Sequence, residues 1–222
     1  MIRPPLIILA PPGGKAALLS AMLGQHPDAY DAAEMSLFMS PRLDDTLAMF
    51  ALADHALGQG LLRTIAHYYC GGQTDHGITT ARAWLQRRAD WKGAQLIDFL
   101  ASTVAPSQLV FADTGVAWRP GYLDRLLDDL PDARLLHLLS HPRAYCRDYA
   151  ADLATRLFVP PEFKDHGVRP IVIDPQLAWV RVHGGVQRAY CSLPDHQYRQ
   201  LRMEDVFRSP DAVLGELCQW LG

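Results

Sequence analysis

Neither sign of charge dominates this chain. Its 222 residues carry 21 Lys and Arg against 24 Asp and Glu, a formal charge of -3 with neutral histidines. A broad cationic surface for nucleic acid or anionic lipid is therefore not expected, although a local basic patch is compatible with the balance. Cysteine is scarce: Cys70, Cys146, Cys191 and Cys218 lie far apart and form no CxxC pair. That spacing argues against a metal site or a disulfide framework and fits a reducing, cytoplasmic compartment. Cys70 and Cys146 have no activating neighbour at fixed spacing and read as buried, inert thiols. Long apolar runs are missing as well. The N-terminal stretch Leu6–Ala10 is fenced by prolines on both sides, which makes it too short for a signal-peptide core or a membrane span. The chain also shows no internal repeat and no low-complexity tract.

What is present suits one globular domain, expected over residues 1–222: hydrophobic residues make up 49% and charged residues 20%, enough to fill a core. Leu6–Ala10 is apolar at every position, the pattern of a strand buried on both faces of a parallel sheet. Pro11-Pro12-Gly13-Gly14 breaks it, and a helix is expected over Lys15–Leu23. Residues 42–70 read as helical up to Gly71-Gly72. Thr79-Thr80 is the expected cap of a helix through Arg88. Further helices are expected over Gly93–Val104, over Tyr122–Leu130, from Ser140 to about Leu157, over Gln176–Cys191 and over Asp211–Leu221. Strands are expected at Leu109–Ala112, Arg134–Leu139 and Tyr198–Met203. The proline-rich residues 158–175 read as a loop or lid. Alternating strands and helices predict an α/β fold with three layers, a parallel sheet flanked by helices. His137, inside an apolar strand, reads as a satisfied core histidine, and the five tryptophans read as packing residues.

A glycine loop between a strand and a helix can present backbone N–H groups and a helix N-terminus to a phosphate, and Lys15 adds a point charge there. The pattern GxxxxGK[ST] is not met, because Leu9 stands at the first glycine and Ala16 at the magnesium-binding hydroxyl. An ordinary magnesium-dependent nucleotide triphosphatase is thereby disfavoured. Two readings of Lys15 stand: an anion-binding lysine, or an exposed lysine on a tight turn.

Several segments, taken in order, resemble the sulfotransferase superfamily, whose members use 3'-phosphoadenosine 5'-phosphosulfate (PAPS). Pro5 to Asp28 looks like its 5'-phosphosulfate loop and first helix, and Ala33-Glu-Met-Ser-Leu-Phe38 like the segment that follows. Gly60-Leu-Leu-Arg63, Gly72-Gln-Thr74 and Ala81-Arg-Ala-Trp-Leu85 resemble the helical insert of a bacterial branch, some of whose members act on polyketide chains held by acyl carrier proteins. Leu130 to Arg143 looks like the strand and loop before the 3'-phosphate site. Tyr198 to Asp205 and Leu217 to Gly222 look like the late strand and the closing helix. The resemblance implies a P-loop-like fold, with Glu34 and Lys15 as catalytic candidates. It also implies Gly13, Gly14, Lys15, Ala16, Ala17, Ser140, Arg143 and Asp148 as the cofactor-contacting positions.

The departures from the family pattern fall on the chemistry. The family loop Pro-Arg/Lys-Ser-Gly-Thr-Thr is matched by Pro12, Gly13, Gly14, Lys15, Ala16 and Ala17, without either hydroxyl. Its Lys-Ser-Pro falls on Ala112-Asp-Thr114. The arginine and serine that hold the 3'-phosphate are Ser140 and Asp148, and an aspartate there repels the dianion. The sequence ends at Gly222, before the Arg-Lys-Gly loop that closes over the nucleotide in the family, and two readings of this stand: a naturally short chain or a missing C-terminal piece. Each charge-assisted bond is worth roughly 1.5–3 kcal/mol, so several losses imply that PAPS use is lost or altered. The remaining residues keep two readings each. Glu34 is a base for an acceptor hydroxyl or a surface carboxylate. Arg143, Arg147 and His141 form a substitute anion site or a solvated helix start. Arg82, Arg87, Arg88 and Lys92 form a docking face for an acidic carrier protein or a solvated helix face. The expected function is sulfuryl transfer to a hydroxyl of a small-molecule or carrier-bound intermediate. The alternatives are a silent binding protein or an enzyme repurposed for carrier-bound polyketides.

Overall fold

The computed structural model describes residues 2–52, 58–153, 159–191 and 193–222. Five parallel strands form the central sheet: β1 (Leu6–Leu9), β2 (Ala29–Glu34), β3 (Gln108–Ala112), β4 (Arg134–Leu139) and, after a small two-stranded ribbon of β5 (Lys164–Asp165) and β6 (Val172–Ile173), β7 (Tyr198–Arg202). Their spatial order is β2-β3-β1-β4-β7. The three inner strands read as continuous apolar runs because both faces are covered. Ile7, Leu9, Leu109, Phe111 and Leu135 enter the larger core on one face. Leu6, Ile8, Val110, Ala112, Leu136 and Leu138 enter the smaller core on the other. Period-two alternation of the pleat thus divides each strand between two helical layers, the three-layer arrangement expected from the sequence.

The smaller core is closed by α1 (Ala16–Leu23), α9 (Met203–Arg208) and α10 (Pro210–Leu221). The larger core is built on α2 (Leu43–Leu52), α3 (Gln59–Tyr69), α4 (Asp75–Gln86), α5 (Gly93–Val104), α6 (Pro120–Asp129), α7 (Pro142–Asp152) and α8 (Pro175–Tyr190). Two expectations need correction. Thr79-Thr80 does not cap α4. The helix starts one turn earlier, where the Thr74 hydroxyl accepts the Gly77 N–H at 3.0 Å, and the Thr79 hydroxyl donates to the Asp75 carbonyl from inside the helix. A Cβ on Gly77 would lie 2.0 Å from the Gly72 carbonyl, so the Gly71-Gly72 turn packs on that first helical turn. The second correction is β2, an additional strand in the sequence Ala-Tyr-Asp-Ala-Ala-Glu. Apart from Tyr30, nothing in that composition favours a strand; pairing with β3 supplies the reason. Residues 158–175 hold the ribbon as well as loop, and the expected end of α7 near Leu157 lies outside the described residues.

His137 is the polar inclusion in β4. It is 1% exposed, its Nδ1 lies 2.8 Å from the Tyr198 hydroxyl, and its Nε2 lies 2.8 Å from Nδ1 of His183 on α8. Burial, and then the proximity of His183, lower His137 to about 3, and burial lowers His183 to about 4. The unfolded chain binds protons at both rings below an ordinary value of roughly 6.5, while the folded chain refuses them. The stability this represents is whole above that ordinary value and is lost as pH falls through the lowered ones. Each ring contributes a slope of about 1.4 kcal/mol per pH unit across that window. Chemical denaturation between pH 7 and pH 4 is expected to show a steep loss of stability, with a shallower slope in His183→Phe. Equal slopes would contradict the neutral, buried pair.

Candidate active site at the carboxyl edge of the sheet

Because the five strands are parallel, their carboxyl ends share one edge. The chain leaves β1 toward one side of the sheet and β4 toward the other. Such a divergence opens a crevice between the two strand ends, the usual ligand position in open α/β sheets. Three non-glycine residues have left-handed backbone among the described residues: Lys15 (φ 65), Ala33 (φ 56) and Ser36 (φ 50). All three lie in segments that leave this edge. Each such conformation costs on the order of 1 kcal/mol, and strained backbone concentrates at functional positions.

The loop after β1 turns at Gly13 (φ 84), and the Gly14 N–H donates to the Pro11 carbonyl at 2.7 Å. A Cβ on Gly14 would lie 2.7 Å from that same oxygen, so the turn requires glycine. Lys15 occupies the N-cap position of α1 and makes no cap with its side chain. Its Nζ lies instead 2.7 Å from Oδ2 of Asp148 on α7. Arg147 reaches the other oxygen of Asp148 through Nη2 at 3.1 Å and Nε at 3.2 Å. The hydrogen bond from Lys15, followed by that from Arg147, holds the Asp148 carboxyl below its usual range. Tyr145, one turn earlier on α7, donates its hydroxyl to the Pro12 carbonyl at 3.1 Å. Lys15 and Asp148, candidates from distant parts of the sequence, are therefore in direct contact. Ala16 is buried and Ala17 exposed at the start of α1, and neither carries a hydroxyl.

Ser140 and Arg143 lie one segment away. The Ser140 carbonyl accepts Trp179 Nε1–H at 2.9 Å, and Ser140 lines a cavity of about 450 Å³ with His141, Trp179, Arg202 and Glu204. The His141 N–H donates to Glu204 Oε1 at 2.6 Å, and the Arg143 N–H donates to His141 Nδ1 at 3.2 Å. Arg143 itself is exposed in the first turn of α7. These contacts explain how Glu204, just past β7, shapes the start of α7.

Glu34 ends β2. The register with β3 slips between Asp31 and Glu34, a bulge in which Asp31 Oδ1 accepts the Ala33 N–H at 2.8 Å. A bulge re-aims the side chain that follows it. Gly60 on α3 seats against this bulge: a Cβ there would lie 2.4 Å from the Glu34 carbonyl and 2.6 Å from its nitrogen. Glu34 Oε1 accepts the Thr114 N–H at 2.8 Å and the Ser36 hydroxyl at 2.9 Å. Beside it lies Asp113, fully buried, whose two oxygens accept the Leu37 N–H at 3.2 Å and the Val116 N–H at 2.9 Å. Burial drives Glu34 well above the ordinary carboxylate range, against the Thr114 and Ser36 bonds that favour the anion. Burial and then the charge of Glu34 drive Asp113 up as well. Glu34 as a whole residue is half-buried, whereas Asp113 is fully buried. The pair places two carboxyls of raised proton affinity at the carboxyl edge of the sheet, where the outer strand β2 and its neighbour β3 end.

Asp113, Ser36 and Gly60 were not among the expected site residues. Asp113 had one signal, a carboxylate directly after a wholly apolar strand. Ser36 and Gly60 had none, because their roles are contacts across the fold. The basic group on the far side is reduced by the structure. Arg88 stacks its guanidinium 3.5 Å from the Trp84 ring centre and donates to the Trp84 carbonyl at 3.1 Å. Lys92 lies 3.8 Å from Asp129. Arg82 and Arg87 remain exposed. Among the described residues there is no group of three His, Cys, Asp or Glu placed to hold a metal ion, and no helix long and apolar enough to cross a membrane.

Comparisons with known proteins agree on the fold. The chain is similar to the sulfotransferase domain from the curacin biosynthetic pathway, with 20% identity over 99% of this chain and 74% of that one, at a TM-score of 0.77. It is also similar to the sulfotransferase domain of the Synechococcus PCC 7002 olefin synthase, with 22% identity over 99% and 73% and a TM-score of 0.81. A sulfotransferase from Alicyclobacillus acidocaldarius matches more loosely, at 16% identity over 100% and 82% and a TM-score of 0.56. No curated protein matches the chain. The profile described as "Sulfotransferase family" matches residues 5–222, through every strand and every segment of the carboxyl edge, and the chain therefore belongs to the sulfotransferase family.

Proposed function

We propose that this chain activates a hydroxyl group of a biosynthetic intermediate, with Glu34 as the proton acceptor, and that its use of PAPS is altered or lost. The carrying observation is Glu34 itself, held at the carboxyl edge by a strained bulge, half-buried, with burial raising its proton affinity. In this role Glu34 takes the acceptor proton as the oxygen bonds to the sulfur of a sulfuryl donor and the donor's S–O bond breaks, its phosphate leaving; the Thr114 N–H and the Ser36 hydroxyl fix the orientation of the Glu34 carboxyl. Sulfotransferase-family proteins typically draw the sulfuryl group from PAPS. The loop of this chain lacks several of the contacts that the family pattern offers that donor. The Lys15 ammonium is already paired with Asp148, the Gly14 N–H is committed to Pro11, and Ala16 and Ala17 offer no hydroxyl. The acceptor class we assign is a small-molecule or carrier-bound intermediate. Its support is that two similar solved domains come from the curacin pathway and from an olefin synthase.

The Lys15–Asp148 pair also favours a second reading, a protein that binds a carrier-held chain without sulfuryl transfer, either silent or repurposed. Incubation with PAPS and a panel of hydroxylated acyl chains, free and carrier-bound, separates the two. The first reading expects a slow mass gain of one sulfuryl group, reduced by 10²–10⁴-fold, the usual order for a general base, in Glu34→Gln. Chain binding with no mass gain favours the second. Transfer that is as fast in Glu34→Gln as in the unaltered protein removes Glu34 from the reaction.

A further inference from the structure

The glycine loop has the architecture of an anion site, yet its one cation is not free. Lys15 and Asp148 are 133 positions apart, and their side chains meet at 2.7 Å with about a third of each exposed (32% and 34%). Both Asp148 oxygens face a cation, Lys15 on one and Arg147 on the other. The contact is anchored twice, because Tyr145 on the same face of α7 is bonded to the Pro12 carbonyl. The left-handed backbone of Lys15 fixes where its stem leaves the loop. No acidic residue occupies the first turn of α1, so the nearest compensating negative charge is the one delivered by α7. An incoming phosphate dianion would have to displace a carboxylate from Lys15 and then remain beside it, at a mutual repulsion that grows as water is excluded.

We infer that Asp148 is an internal anion of the glycine loop, which neutralises Lys15 and keeps the loop from taking a phosphate group. The inference deepens the reading of altered PAPS use, and it rests on the loop being the donor side of the crevice. Asp148 then sets ligand class: with it, phosphate dianions are rejected; without it, Lys15 and Arg147 form a cationic pair at the helix start. A carboxylate in place of a ligand phosphate is a regulatory contact only so long as Lys15 has no better partner, so the change of one side chain reverses it.

The test uses 3'-phosphoadenosine 5'-phosphate and, separately, inorganic pyrophosphate, titrated calorimetrically into the unaltered protein, Asp148→Ser, Asp148→Asn and the double variant Lys15→Ala with Asp148→Ser. Asp148→Asn keeps the shape of the side chain, and ligand-free unfolding midpoints verify that each variant is folded. The expected result is binding at least tenfold tighter in both single variants than in the unaltered protein, with the gain abolished by Lys15→Ala. Equal affinity in the unaltered and Asp148 variants would overturn the inference, as would a gain that survives Lys15→Ala, or no binding by any variant. These readings use no acceptor and no turnover. They fail independently of the Glu34 assignment, which the transfer assay alone decides.

Discussion

Glu34→Gln is expected to make the protein more stable in alkaline solution, not less. Glu34 and Asp113 both hold their protons above the ordinary carboxylate range. The unfolded chain releases those protons first, so the stability they represent is whole below the ordinary carboxylate value and is lost as pH rises through the raised ones. Above neutrality the folded protein therefore carries two buried, mutually repelling charges, or retains a proton that the solvent would take. Glutamine keeps an oxygen for the Thr114 N–H and the Ser36 hydroxyl, loses the charge and relieves Asp113. Each tenfold change in proton affinity corresponds to about 1.4 kcal/mol. The expected gain at pH 8 is on the order of 2 kcal/mol, or roughly 4–8 °C in the unfolding midpoint for a domain of this size. At pH 4 the two proteins should unfold alike. Denaturation curves at both pH values check this, and a variant that is less stable at pH 8 would mean that the pair is not held neutral by burial. A gain in stability on loss of a reactive group is the signature of a site whose geometry opposes folding.

Gly60→Ala is expected to produce the largest loss among single changes near the site. The added methyl would lie 2.4–2.7 Å from the Glu34 carbonyl, the Glu34 nitrogen and the Ala32 carbonyl, all of them backbone atoms. Backbone does not rotate away as a side chain does, so α3 must retreat from β2. Overpacking of this kind costs roughly 1–3 kcal/mol, which corresponds to a midpoint lower by about 3–10 °C. The bulge at Ala33 should move with the helix, so Glu34 loses its bond from Thr114 and its raised proton affinity together. Thermal unfolding gives the first readout. A ¹³C-carboxyl titration of the glutamates gives the second, and it is practicable because the chain contains only Glu34, Glu162, Glu204 and Glu216. An unchanged midpoint together with an unchanged Glu34 titration would show that the helix does not bear on the bulge.

The two predictions depend on opposite kinds of information. The charge and the apolar strand ends around Glu34 and Asp113 are visible in the residue string; the proximity of Gly60 is not. The inner strands were legible because burial on both faces demands unbroken runs such as Leu-Ile-Ile-Leu and Leu-Val-Phe-Ala. β2 was illegible for the converse reason. Asp31 sits within it as a side-chain acceptor for Ser20 and Ala33, and the strand owes its form to its partner rather than to its own propensities. The cap of α4 was misplaced because a Thr-Thr pair and a single Thr are equally good acceptors locally. The packing of Gly72 against Gly77 decides between them.

By itself, the sequence determined the α/β class, the alternation of buried strands with helices, the glycine turn after β1 and the absence of hydroxyls from that turn. Each of these follows from interactions within a few residues, or from the requirement that apolar surface be covered. Only the tertiary structure decided that Lys15 and Asp148 neutralise one another and that Asp113 shares the buried end of the sheet with Glu34. Those pairings join segments separated by up to 133 positions. Their energies depend on distance and on the water between them, neither of which is a property of either residue alone.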